Sequence, residues 1–389
     1  MSGPGAGDVA PLWVSGFRPF FLAAAAYGPL CLFGWLLVRN AGWPAYAPGV
    51  LWHAHEMLFG FAAALVCGVL LTALPSWSGA REMRGTRLAL LAALWVAGRL
   101  AMLAADVLPR ALVAVTDCAL LPALCLMLLR AVAQARRRLF WWTLPPLAAF
   151  AAANAAFHAA LAQGEAGRAA WALTLGVHAL AFLFTLYGGL FIGAFTRRYL
   201  HERGRRAVAI LLPLEYATAA AMAGFAAADL CAAPRAWMLA AALAAAAVQA
   251  WRFARWQGWL VTREPLLWSI HLGYAWLVLA LLLRGLAELA PQVPRDAWIH
   301  AFTLGAYGLL KIGLMNRVVL RHTGRPVRSP PAMQLAFVAM FAAAVLRLAW
   351  AVDAVGEAAL VGSAILWSAA FATWLALYGA MLFRPSLPR

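Results

Sequence analysis

The stretch Trp52-His53-Ala54-His55-Glu56 sets two imidazoles and a carboxylate at the head of a long apolar run that ends near Leu74. Neutral imidazole is the commonest protein ligand for haem iron and copper, and ionisable groups inside apolar segments usually serve function. Two more histidines occupy comparable places, His178 and His300, spaced 123 and then 122 residues further on. At about 100° per residue, His53 and His55 point roughly 200° apart, so a regular helix cannot bring both to one iron. His55 shares its face with Leu58, Phe59, Ala62 and Val66, an apolar surface suited to a porphyrin. The other face carries Gly60, Ala64, Cys67 and Gly68, small residues that admit a neighbouring helix. His53 falls within about 60° of Glu56, which predicts a His53–Glu56 rim pair beside a His55 ligand. His53 stays a metal candidate for the case in which the helix begins only after it.

The elements that must position these groups follow from composition. A chain of 389 residues, 65% hydrophobic and 12% charged, cannot hide its apolar surface in soluble domains. Apolar runs, each near the roughly 20 residues that cross a hydrocarbon core, fall at 19–38, 53–74, 86–105, 111–131, 141–162, 170–195, 206–228, 233–253, 266–289, 297–320, 332–352 and 358–382. The expected fold is therefore all-α, a polytopic membrane protein of about twelve transmembrane helices. The net charge of +17 is distributed by the positive-inside rule: loops after even-numbered helices hold Arg81/Arg84/Arg87, Arg136/Arg137/Arg138, Arg197/Arg198/Arg203/Arg205/Arg206, Arg252/Arg255/Arg263 and Arg317/Arg321/Arg325/Arg328. Both termini are expected in the cytoplasm of a bacterial inner membrane. No basic, aromatic-interleaved module is left to bind nucleic acid, and the N-terminal stretch lacks the n- and h-regions of a cleaved signal peptide. The five cysteines lie within or at the ends of the apolar runs with no C-x-x-C spacing and are read as reduced core residues.

Self-comparison at long lag gives a repeat. His55 is followed by Gly60, Gly68 and Ser78-Gly79, and His300 at the same offsets by Gly305, Gly313 and Thr323-Gly324. With His178 between them, the chain reads as one membrane domain of three four-helix units, 17–138, 139–263 and 264–389. Each unit opens its second helix with a histidine, and all three such helices run inward, so His55, His178 and His300 are expected at one depth near the periplasmic face.

With these residues in hand, the chain resembles the NnrS family of nitric-oxide-responsive membrane haem and copper proteins. The likeness is carried by Phe17-Arg18-Pro19-Phe20-Phe21-Leu22, by Trp52–Gly79, and by His300, Gly313, Arg317 and His322-Thr323-Gly324-Arg325, and it covers essentially the whole chain. It departs after the sixth helix, where Gly188-Gly189-Leu190 stands in place of the family's Gly-Gly-Arg. The resemblance implies b-type haem, copper as a further metal, nitric oxide as the small molecule, and a role in nitrosative stress or denitrification. A more distant architectural likeness is to the haem-copper oxidase large subunit, from which the chain departs by lacking its adjacent His-His pair.

On this reading His55 and His300 are the haem ligands, with His178 a weaker copper or haem candidate. Arg99, Arg284 and Arg347 either snorkel to the outer interface or clamp haem propionates. His158 and His271 are read as structural, Asp117 and Glu215 as carboxylates without a nameable partner, Lys311 as snorkelling or part of a proton path, and the His322 cluster as a head-group anchor. Whether nitric oxide is turned over, bound or sensed stays open, no catalytic residue is assigned, and the electron donor is unassigned. The rival readings are a secondary transporter and a structural partner of a respiratory complex.

Overall fold

The computed structural model describes residues 9–38, 46–134, 138–206 and 208–388; Arg136 and Arg137 of the expected basic loop lie outside the described residues. Each of the twelve expected apolar runs coincides with a helix, and no strand occurs among the described residues. In chain order these are α1 (Phe17–Val38), α2 (Gly49–Ser78), α3 (Thr86–Leu103), α4 (Arg110–Ala133), α5 (Phe140–Ala162), α6 (Ala166–His201), α7 (Leu212–Leu230), α8 (Arg235–Arg255), α9 (Pro265–Leu286), α10 (297–322), α11 (Pro331–Ala351) and α12 (Glu357–Leu382). All but α7 and α10 are long and apolar enough to cross a membrane. These two carry the polar load, Glu215 and Asp229 on α7 and His300, Lys311 and Arg317 on α10. The protein is thus a polytopic all-α membrane protein.

Local chemistry marks the helix boundaries. Proline precedes or opens α4, α8, α9 and α11 (Pro109, Pro234, Pro265, Pro331), where its missing N–H costs nothing and its fixed φ suits the first turn. α2 ends at Gly79, whose φ of 77° is a left-handed cap open to glycine.

Two helices depart from α geometry at matching places. In α2 the residues directly after His55, Glu56–Ala62, form a π-helix. In α10 those directly after His300, Ala301–Gly308, do the same. Such wide turns are rare and often accompany functional sites.

By internal contacts the chain divides into two units, residues 1–180 with 318–326 and 374–389, and residues 181–317 with 327–373. In the first, α2 is the buried centre and α1 lies along it: a Cβ on Gly68 would meet the Phe21 ring at 2.7 Å, and one on Gly60 the Tyr27 ring at 2.6 Å. In the second unit α9 lies along α10 in the same manner, with Gly305 beneath Trp276 and Gly313 beneath Ser269 and Ile270. The small-residue face expected of α2 does receive a neighbouring helix, and its counterpart on α10 repeats the arrangement.

Candidate metal and polar site

The first unit buries a polar cluster around His55. The imidazole is fully buried, stacked on Phe157 with centroids 4.5 Å apart. Its Nδ1 lies 2.9 Å from Glu56 Oε1, and its Nε2 lies 2.9 Å from Asn154 Oδ1 and 3.2 Å from Asp117 Oδ2. His158, one turn beyond Asn154 on α5, sets its Nε2 at 2.9 Å from the same Asp117 Oδ2, while its Nδ1 lies 2.7 Å from the Tyr46 hydroxyl. Asn154 Nδ2 also donates to Asp117 Oδ2 at 2.8 Å. Arg99 of α3 closes the cluster: Nη1 donates to Glu56 Oε2 at 2.5 Å, Nη2 pairs with Asp117 Oδ1, and Tyr27 donates to Glu56.

Each element has a reason to be there. Gly98 lets α4 approach α3, since a Cβ there would sit 3.2 Å from Asp117 Cα; this brings Arg99 onto the Asp117 carboxylate. Trp95, one turn earlier, donates its indole N–H at 2.9 Å to the Gly60 carbonyl in the π-helix. Just ahead of α2, the Tyr46 backbone N–H donates to Asp106 Oδ1 at 2.8 Å, holding the ring over His158. Burial first, and then the nearby Asp117 charge, push the Tyr46 hydroxyl up to about 12, so it stays a donor.

The structure revises several sequence expectations. Glu56 does not pair with His53: it turns to His55, Arg99 and Tyr27, and His53 instead stacks on Trp35 at 4.3 Å. The reason is the pair of partners on neighbouring helices, Arg99 of α3 and Tyr27 of α1, which hold the carboxylate on their side. Arg99 and Arg284 both find carboxylates: Arg284 pairs with Asp229 at 2.8 Å and Glu288 at 2.7 Å much as Arg99 pairs with Glu56 and Asp117. Glu215 gains a partner in Arg252, which also donates to the Thr185 carbonyl at 2.8 Å. His158, read as structural, belongs to the cluster; His271 lies 2.9 Å from Thr196 Oγ1. His178 is buried on α6. Lys311 sits over the Tyr307 ring at 4.9 Å.

Arg347 behaves differently. Where the first unit has Glu56 after its histidine, the second has Ala301, and Arg347 Nη2 approaches His300 Nε2 itself at 2.8 Å. The guanidinium lies over Trp350 at 4.7 Å, and its buried Nη1 has no hydrogen-bond partner among the described residues.

The other shared motifs form a latch within the first unit. Arg18 donates to the carbonyls of Leu382 and Arg384, each at 2.8 Å, and to Ser386 Oγ at 3.0 Å. The Ser386 hydroxyl donates to the His322 carbonyl, and the His322 ring packs on Phe17 with centroids 5.6 Å apart. His322, expected in a head-group anchor, is half-buried with its ring on Phe17 and its carbonyl taken by Ser386.

Sequence reasoning passed over Asp117, Asn154, His158 and Tyr46 as a group. Asn154 and His158 at i, i+4 were a legible signal of a shared polar face on α5, but the facing residues lie some 37 to 112 positions away. The model of one protein family, described as NnrS protein, matches residues 11–386. No curated protein matches the chain.

Proposed function

Because the chain belongs to the NnrS family, we propose that it is an inner-membrane metalloprotein of the nitric-oxide response, binding haem through its second unit. His300 and Arg347 carry this reading. Of the two expected haem ligands we favour His300: the Arg347 guanidinium that now meets both its ring nitrogens would turn to a haem carboxylate as Nε2 takes the iron. His300 is partly exposed, and the Arg347 fork beside it has an open donor of the kind that pairs with a carboxylate such as a propionate. His55 as placed does not fit a porphyrin: both ring nitrogens face protein oxygens and one ring face is covered by Phe157. Bound haem would supply an iron able to take nitric oxide or an electron; His300 would hold it and Arg347 would pair with its carboxylates.

The periplasmic depth of His300 rests on the arginine distribution, and nitric oxide as partner rests on the family. The test is a visible spectrum of the detergent-purified protein from haem-replete cells. A Soret band is expected, lost or shifted to high spin in His300→Ala and retained in His55→Ala. A folded but colourless preparation would sink the haem reading and favour the transporter or structural alternatives.

A further inference from the structure

Where both expected haem positions were histidines, the first unit offers a different donor set. We propose that His55, Asp117 and His158 form a site for a single divalent first-row transition-metal ion, separate from the haem reading of His300. One ligand atom from each of the three, all buried, lies within 4.8 Å of the others. More telling is which atoms converge. Both Nε2 atoms point at one oxygen, Asp117 Oδ2, from 3.2 Å and 2.9 Å. Two ligands held about 2.0–2.1 Å from a tetrahedral ion stand about 3.3 Å apart, and both nitrogen–oxygen separations are within tenths of an ångström of that spacing. In the metal-free form, protons and the Asn154 amide hold these atoms together; the ion replaces the protons.

The far side of each imidazole is already arranged for that task. Histidines that ligate metal nearly always commit the other ring nitrogen to an orienting partner. His55 Nδ1 is committed to Glu56 Oε1 at 2.9 Å and His158 Nδ1 to the Tyr46 hydroxyl at 2.7 Å. The remaining Asp117 oxygen is bound by Arg99, which fixes the carboxylate with Oδ2 facing the histidines. Asn154 Oδ1, 2.9 Å from His55 Nε2, stands where a fourth ligand or a metal-bound water would sit.

Charge and softness narrow the ion. Two carboxylates and one guanidinium leave one negative charge when both imidazoles are neutral, which favours a cation. The set is two imidazoles and a carboxylate with no thiolate or thioether, a borderline combination that suits Fe2+, Co2+ or Zn2+ and disfavours Cu+. A hard ion such as Mg2+ or Ca2+ would seek more oxygens than the cluster holds.

The experiment is metal analysis and cobalt titration of the full chain in detergent. Protein purified without chelator should carry about one equivalent of a non-haem divalent metal, and stripped protein titrated with Co2+ alone should develop saturable visible d–d bands. His158→Gln should abolish both, Tyr46→Phe should weaken cobalt affinity about 10–100-fold, and His300→Ala should leave both unchanged while altering the haem spectrum. Folding of each variant is read from its elution as a single detergent-solubilised species; if His158→Gln does not fold, Tyr46→Phe decides. Folded wild-type protein with neither metal nor a cobalt spectrum, or undiminished cobalt binding in the deciding variant, overturns the site whether or not haem is present.

Discussion

His55 and Glu56, consecutive in the chain, face one another with Nδ1 and Oε1 2.9 Å apart. Neighbouring residues on an α-helix diverge by about 100° and rarely meet. Here Arg99 and Tyr27 hold the Glu56 carboxylate at the point where the chain enters a π-helix, and its other oxygen meets the histidine. The π-helix after His300 lacks that carboxylate, and there Arg347 meets the histidine directly.

Arg99 neutralises two fully buried carboxylates, so its removal leaves both without their cation. Deleting one partner of a buried ion pair costs about 3–5 kcal/mol. Arg99→Met should lower the thermal midpoint in detergent sharply, whereas exposed Arg84→Ala should leave it within error; equal midpoints for Arg99→Met and wild type would falsify the cluster geometry.

The contact of α1 on α2 depends on Gly68 under Phe21. Gly68→Val forces side chains where ring atoms already lie, an overpacking penalty of about 1–3 kcal/mol. Gly34→Val, at a position with nothing within 4 Å of the added Cβ, should be nearly neutral. The two variants, compared by heat-induced aggregation in one detergent, test whether the glycine serves helix approach.

Arg18 satisfies carbonyls at the end of α12 and the hydroxyl of Ser386. With Arg18→Ala the segment 384–388 should detach, and a cysteine at Ser386 should react with a thiol reagent several-fold faster than in an otherwise wild-type background. Unchanged reactivity would mean that the latch does not hold in the bilayer.

Topology follows from the arginines rather than from the family. In intact spheroplasts a membrane-impermeant thiol label should reach a cysteine at Gln292, after α9, and spare one at Gly204, after α6. The opposite pattern would turn the protein over and move His300 to the cytoplasmic side.

Much was legible in the chain itself. Apolar runs of membrane-spanning length gave twelve helices, because burying backbone hydrogen bonds in lipid leaves little choice but helix. The matched glycines after His55 and His300 announced where α1 and α9 come to rest, because a missing Cβ is a local property that the helix spacing carries to one face. Tertiary structure alone decided the site. Which carboxylate Arg99 would take, that Asp117 would gather two histidines, and that Glu56 would leave His53 for His55 depend on groups from α1 to α5 meeting in space. A sequence states which groups must find partners when water is excluded; only the packing of helices distant in the chain determines which partners they find.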